Sequence, residues 1–282
     1  MENQKNRVAL VIGSGGVKCA AAIGMHQVLQ REGIEIGMVV GCSGGSIYAA
    51  LIAMGMTPEQ SAEMSMKLWT HDVTAKHTPR SLWQILLPNL FGFNEHFGMV
   101  DDKLVMQHLL AAFGDTNIED AKIPLYITAT DFENGEQVVM TQGKMFGAIR
   151  GSISIPYIFP AYRVNGRLLV DGYLSDPMPV GVAVKEGANV ILAMGFESPY
   201  QVKLNSLMRY TFQVSSIMSN NLLKANYAFH SLAHHSEVIP IIPEFQQHIG
   251  LFDTQKIPYI IEEGKRATEA QIPYLKKLLL SL

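Results

Sequence analysis

Ile36-Gly37-Met38-Val39-Val40-Gly41-Cys42-Ser43-Gly44-Gly45-Ser46-Ile47-Tyr48-Ala49-Ala50-Leu51-Ile52-Ala53-Met54 joins two apolar runs through a glycine-serine turn. Apart from Glu35, residues 34–40 are apolar or glycine, as in a strand buried on both faces. Residues 47–54 read as an apolar helix stopped by Gly55 and Pro58. The charge-free run 36–58 is long enough to span a bilayer. The glycines and serines at its centre argue instead for a strand, a tight turn and a buried helix.

The same order occurs upstream. Val8-Ala9-Leu10-Val11-Ile12 is a second short apolar run, followed by Gly13-Ser14-Gly15-Gly16-Val17-Lys18 and an alanine-rich helical stretch over 19–31 that closes at Gly33. Strand–helix–strand–helix order predicts an α/β fold with a mostly parallel central sheet flanked by helices. Further strands are predicted at 124–130, 168–170, 190–195 and 238–242. Helices are predicted at 57–68, 101–113, 179–186, 204–233 and 255–280. No repeat, low-complexity segment or linker divides the chain. One domain over 1–282 is expected, with a catalytic core at about 7–196 and a C-terminal helical part at about 197–282.

Composition narrows the function classes. The chain has 282 residues, 48% hydrophobic and 17% charged, with a net charge of −3. A nucleic-acid footprint normally brings a basic patch or strongly basic pI, so no nucleic-acid partner is expected. The apolar content excludes disorder. Residues 1–7 are polar and carry no apolar signal core, and Cys19 and Cys42 fit no metal-ligand spacing. A cytoplasmic protein with reduced thiols and no metal or cofactor is the expectation, with peripheral contact at the inner membrane face left open.

The chemistry concentrates in three places. Gly13-Ser14-Gly15-Gly16-Val17-Lys18 sits between a strand and a helix, where N–H groups and the helix dipole favour an anion. It lacks the Lys-Ser/Thr ending of a phosphate loop and the last glycine of the dinucleotide pattern, which weakens a nucleotide-binding reading. Gly41-Cys42-Ser43-Gly44-Gly45 is a G-x-S-x-G sequence in the strand–turn–helix context of a nucleophile elbow. The N–H groups of Gly44, Gly15 and Gly16 are candidate donors to an oxyanion. The bland alternative is a helix-capping Ser-Gly turn.

A serine needs a base. Val170-Asp171-Gly172 places a carboxylate at the end of a predicted strand, the edge where open α/β sheets bind ligands. Asp131 has a similar position, but Glu133-Asn134-Gly135 beside it reads as a hairpin turn. His230, His234 and His235 follow Asp171 in the order of a Ser–His–Asp triad, yet their stretch reads more simply as a helix face.

Taken together, these motifs resemble the patatin-like phospholipase family, particularly its compact bacterial members. The family's G-G-G-x-R/K-G loop corresponds to Ser14-Gly15-Gly16-Val17-Lys18-Cys19, its G-x-S-x-G elbow to residues 41–45, and its Asp-Gly-Gly/Ala motif to Asp171-Gly172-Tyr173. Ala129-Thr130-Asp131 and Ala148-Ile149-Arg150-Gly151-Ser152-Ile153-Ser154-Ile155-Pro156 also look like family segments. The likeness runs from about Arg7 to Gly195. It implies a three-layer patatin-like fold and a Ser–Asp dyad without histidine: Ser43 as nucleophile, Asp171 as its proton acceptor, Gly15 and Gly16 as oxyanion donors, Lys18 supporting their loop. Ser14, Cys19 and Tyr173 depart from the family pattern.

The expected activity is hydrolysis of lipid acyl esters, phospholipase A or lysophospholipase-like, through an acyl-serine. A catalytically silent lipid-binding or regulatory protein on the same fold is the alternative. Residues 82–97 are the densest apolar patch and read equally as a lid over the site or as core. Residues 272–280 are amphipathic and read as a docked terminal helix in preference to a membrane anchor.

Overall fold

A computed structural model of the chain describes residues 8–68, 90, 94–95, 97–100, 102–233 and 236–281. Eight strands form one sheet: β1 (Val8–Ile12), β2 (Met38–Cys42), β3 (Leu125–Asp131), β4 (Gln137–Met140), β5 (Tyr162–Val164), β6 (Arg167–Val170), β7 (Val190–Met194) and β8 (Glu237–Ile241). The spatial order is β5-β6-β3-β2-β1-β7-β8, with β4 paired to β3 off this path. From β3 to β8 every pairing is parallel. The β3–β4, β3–β6 and β5–β6 pairings are antiparallel. The sheet is therefore mostly parallel, with an antiparallel flank.

Nine α-helices are described: α1 (Ala21–Arg31), α2 (Gly44–Ala53), α3 (Pro58–Leu68), α4 (Asp102–Phe113), α5 (Met145–Ser152), α6 (Val180–Lys185), α7 (Leu207–Ala233), α8 (Ile257–Glu269) and α9 (Ile272–Ser281). They cover both faces of the sheet. In β1, Val8, Leu10 and Ile12 join the larger core with α1 and α2, while Ala9 and Val11 join a second core with Val180, Val182 and Ala183 of α6. Side chains alternate faces along a strand, so only a sheet covered on both sides makes every residue of β1, β2 and β7 buried. Helix, sheet and helix form the three layers expected.

Several elements differ from expectation, each for a physical reason. The 19–31 stretch opens as a 3-10 turn at Gly16–Ala20 before α1. Helix α2 starts at Gly44, directly after Ser43, since the two glycines are tolerated in its buried first turn. The predicted helix 255–280 is two helices, the second carrying Pro273 in its first turn, where a missing N–H breaks no hydrogen bond. β4, β5 and α5 had no strong periodic signal. β8 tolerates Pro240 because it lies at the sheet's edge.

The described residues of 197–281 are built into the same sheet and layers. β8 pairs with β7, and α8 lies across α1. Gly24 and Gly264 bring those two helices together: a methyl on either would meet the other helix's backbone, at the Ile261 or the Ala21 carbonyl. Helix α9 is docked through buried Ile272 and Leu275, with Lys276 2.7 Å from Glu32 and the Tyr274 hydroxyl donating to Glu237 at 2.6 Å. Of residues 82–97, only 90, 94, 95 and 97 fall among the described residues; Leu90 is exposed and Phe97 buried. No helix among the described residues is long and apolar enough to cross a membrane.

Candidate active site

The sheet's parallel strands end at one edge, and the three motifs meet there. Ser43 follows β2 with φ 53° and ψ −131°, a left-handed conformation uncommon for a residue with a Cβ. The turn is held by its neighbours. The Ser43 N–H donates to Ser152 Oγ at 2.8 Å, Ser152 Oγ donates to the Thr128 carbonyl at 2.6 Å, and Ser46 Oγ donates to the Ser43 carbonyl at 2.6 Å. Gly45 lies so close to β1 that a methyl there would strike the Ile12 carbonyl, and one on Gly44 would come 2.6 Å from the Gly16 carbonyl. Glycine at 44 and 45 is thus what lets the elbow nest against the first glycine loop.

Asp171 directly follows β6, the strand paired antiparallel with β3. Ser43 Oγ donates to its Oδ2 at 2.7 Å, across 128 positions of sequence. The Tyr173 N–H donates to Oδ1 at 3.0 Å. The backbone of Asp171 is pinned too, its N–H donating to the Ser154 carbonyl at 3.0 Å and its carbonyl accepting from Thr130 Oγ1 at 2.9 Å. Gly172 permits this approach, since a methyl there would meet the Thr128 carbonyl at 2.6 Å. Asp171 is wholly buried, and burial pushes its carboxyl up to about 7, against the opposing pull of its Ser43 and Tyr173 hydrogen bonds.

The first glycine loop runs beside Ser43. Gly13 and Ser14 N–H groups are used by the Met194 and Pro177 carbonyls, and Val17 N–H by the Leu251 carbonyl. The N–H groups of Gly15 and Gly16 meet no acceptor among the described residues. Gly16 has φ 57°, and Gly15 is pressed against the Phe196 ring. Lys18 ties the loop to the far wall, its Nζ donating to the Glu197 carbonyl at 3.0 Å; partial burial lowers its affinity for a proton.

A cavity of about 490 Å³ opens above these groups. Ser14, Gly15, Gly16, Lys18 and Ser43 form its polar floor, while Ile155, Ile158, Phe212, Leu251 and Phe252 form apolar walls. Tyr173 lines it and is held by a 2.7 Å hydrogen bond to Ser215 of α7. The structure thus brings together Ser43, Asp171, Gly15, Gly16, Gly44 and Lys18. It leaves Asp131 in the β3–β4 turn, accepting from the Glu133 N–H at 3.0 Å, with Arg167 at 3.9 Å. His234, His235 and the side chain of His230 lie outside the described residues. The Ser43–Asp171 hydrogen bond is direct, whereas a triad interposes histidine.

Several residues had no role assigned from sequence, although Thr130, Arg150 and Ser152 lie in the family-like segments. Ser152, Thr128 and Thr130 hold the backbone at Ser43 and Asp171 through hydrogen bonds that no local pattern announces. Buried Arg150 lies 5.4 Å from the Phe159 ring and 5.3 Å from the Tyr162 ring, and donates to Ser154 Oγ at 2.6 Å. The outer cavity wall comes from 197–216 and 248–252, of which the sequence assigns only 204–216, to a helix. Among the described residues no cluster of three or more His, Cys, Asp or Glu is arranged to hold a metal ion.

Comparison with known proteins adds a family. The model of the patatin-like phospholipase family matches residues 10–184. An uncharacterized NTE family protein of Mycobacterium tuberculosis is 30% identical over 188 residues, covering 67% of this chain and 48% of that protein. The patatin-like phospholipase domain-containing protein 7 of Rattus norvegicus is 27% identical, covering 71% of this chain and 14% of that protein. A lysophospholipase of Cryptococcus neoformans is 28% identical, covering 67% and 11%. The chain spans about half the length, or less, of these curated relatives. VipD from Legionella pneumophila shares the fold, with a TM-score of 0.53 at 13% identity over 96% of this chain and 67% of that one. Human GIVD cytosolic phospholipase A2, solved with methyl gamma-linolenyl fluorophosphonate, gives 0.50 at 10% identity over 100% and 60%. The chain belongs to the patatin-like phospholipase family.

Proposed function

We propose that this chain is a lipid acyl-ester hydrolase, phospholipase A or lysophospholipase-like, working through a Ser43–Asp171 dyad and an acyl-serine. The observation that carries the reading is the 2.7 Å bond from Ser43 Oγ to buried Asp171 Oδ2 on the floor of an apolar cavity. Family membership and the lysophospholipase relative support the lipid substrate class.

Asp171 takes the Ser43 proton as Oγ attacks the ester carbonyl carbon. The carbonyl electron pair moves to oxygen, and the N–H groups of Gly15, Gly16 and Gly44 stabilise that oxyanion. Each such donor typically contributes about 10²–10³ in rate. The tetrahedral adduct collapses, and the departing alkoxide takes the proton from Asp171. Water then attacks the acyl-serine, giving its proton to Asp171, and the fatty acid leaves as Ser43 recovers its hydrogen. An aspartate at its free value of about 3.9 is too weak a base near neutrality. A carboxyl raised to about 7 is matched to the task. Lys18 holds the donor loop in this scheme, and no cofactor takes part.

The reading also takes residues 1–282 as one domain, supported by the β7–β8 pairing and the α1–α8 contact. Fluorophosphonate labelling tests the chemistry. The folded protein should be modified at Ser43, and Ser43→Ala should not react. A folded wild type that never reacts leaves a silent lipid-binding protein as the better reading.

A further inference from the structure

The apolar surface of this molecule is uneven. Beside the cavity mouth, Val202 is 91% exposed, Leu207 76% and Met218 68%. Leu204, Tyr210, Val214 and Ile217 are exposed as well. On α7 the exposed positions 207, 210, 214, 217 and 218 recur at helical spacing on one outward face, while Phe212, Ser215 and Ser216 of the opposite face line the cavity. Farther along, the outward positions are polar or small at Asn221, Lys224 and Ala225, before exposed Phe229. The exposed apolar stripe is densest over the part of α7 that walls the cavity.

The whole of this helix and the segment before it lack acidic residues. Between Glu197 and Glu237 the sequence contains no Asp or Glu, in a chain whose net charge is −3. Lys203 is exposed within this stretch and Arg209, also exposed, lines the cavity mouth; neither forms an ion pair with any described residue. Lys224 is engaged with Glu197 at 3.3 Å. An exposed stripe of aliphatic and tyrosine side chains flanked by unpaired cations has the composition of an interfacial helix facing anionic lipid.

We propose that residues 202–207 and the outward face of α7 over 207–218 form a docking surface for an anionic bilayer, setting the cavity mouth against the lipid. The surface accounts for how a water-insoluble ester reaches a buried serine without crossing water. It rests on the proposed lipid substrate only for its purpose; the surface itself is argued from exposure and charge.

The test is flotation of the full chain with vesicles of phosphatidylcholine alone and of phosphatidylcholine with phosphatidylglycerol. Parallel assays use a soluble short-chain nitrophenyl ester, size-exclusion chromatography and thermal unfolding. Wild type should float with the anionic vesicles and less with the neutral ones. Leu207→Glu with Met218→Glu should unfold like wild type and keep its rate on the soluble ester. The pair should lose about tenfold or more in vesicle partitioning, the scale expected for removing large side chains from hydrocarbon. Lys203→Glu should weaken binding to the anionic vesicles only. Wild type that floats with neither vesicle, or a folded double variant that floats as wild type does, overturns the proposal. So does a wild-type dimer that the double variant dissociates without change in flotation. Flotation as expected with no hydrolysis of the soluble ester overturns the hydrolase reading and leaves the surface standing.

Discussion

In the proposed mechanism Asp171 is buried yet must ionise for Ser43 to be deprotonated, and that opposition has two measurable consequences. The base is active only when unprotonated, so kcat/KM should climb with pH and level off above about 7. A profile flat between pH 5 and 8 contradicts this tuning. Asp171→Asn and Ser43→Ala should each lower kcat/KM by about 10³ or more on any ester the wild type accepts. The second consequence concerns stability. Because the folded carboxyl titrates near 7 and the unfolded one near 3.8, the folded protein holds a proton in this window that the unfolded chain releases. Stability attributable to this group is full below about pH 4 and is lost as pH rises to 7, by up to about 4 kcal/mol at 1.36 kcal/mol per unit. Denaturant unfolding at pH 5 and pH 8 should show Asp171→Asn gaining on wild type at the higher pH. An equal difference at both values overturns the argument.

At the scale of elements, glycine decides which surfaces touch. The α1–α8 contact depends on Gly24 and Gly264, each lying against the partner helix's backbone. A glycine inside a helix is unfavourable by about 1 kcal/mol relative to alanine, so its presence there signals close packing. Gly264→Ala should nevertheless destabilise the protein, by about 1–3 kcal/mol, because the added methyl meets the Ala21 carbonyl and forces the helices apart. A raised melting temperature in that variant contradicts the packing account. The sequence was informative for β1, β2 and β7, whose apolar runs are long enough to identify, and for α2 after the elbow. It was silent on β4, β5 and α5. Those elements are short, and β5 pairs with β6 without a continuous apolar pattern, its residues Tyr162, Arg163 and Val164 being no more than half-buried.

Across the whole molecule, the described residues of 197–281 complete what the segments around Ser43 and Asp171 begin. They supply β8 against the edge of β7, α8 over α1, and the outer cavity wall from 197–216 and 248–252. A chain ending at residue 196 should therefore fail to yield a soluble, cooperatively unfolding protein, since it would expose the α1 face and the β7 edge. A truncated chain that melts cooperatively and reacts with fluorophosphonate would contradict this dependence. Chelators should leave activity unchanged, because the proposed steps use only Ser43, Asp171 and backbone N–H groups.

Sequence by itself determined the buried strands β1, β2 and β7, the strand–turn–helix setting of Ser43, and the residue types at positions 15, 16, 44 and 171. These are local properties: apolar periodicity, the backbone freedom of glycine, and the spacing of a turn are written in neighbouring residues. Tertiary structure alone decided that Asp171 lies 2.7 Å from a serine 128 positions away, that its carboxyl rises to about 7, and that α7 walls the cavity. Sheet order and burial set those outcomes. They depend on which distant segments pair and on how much water the pairing excludes, neither of which is a property of any one stretch of chain.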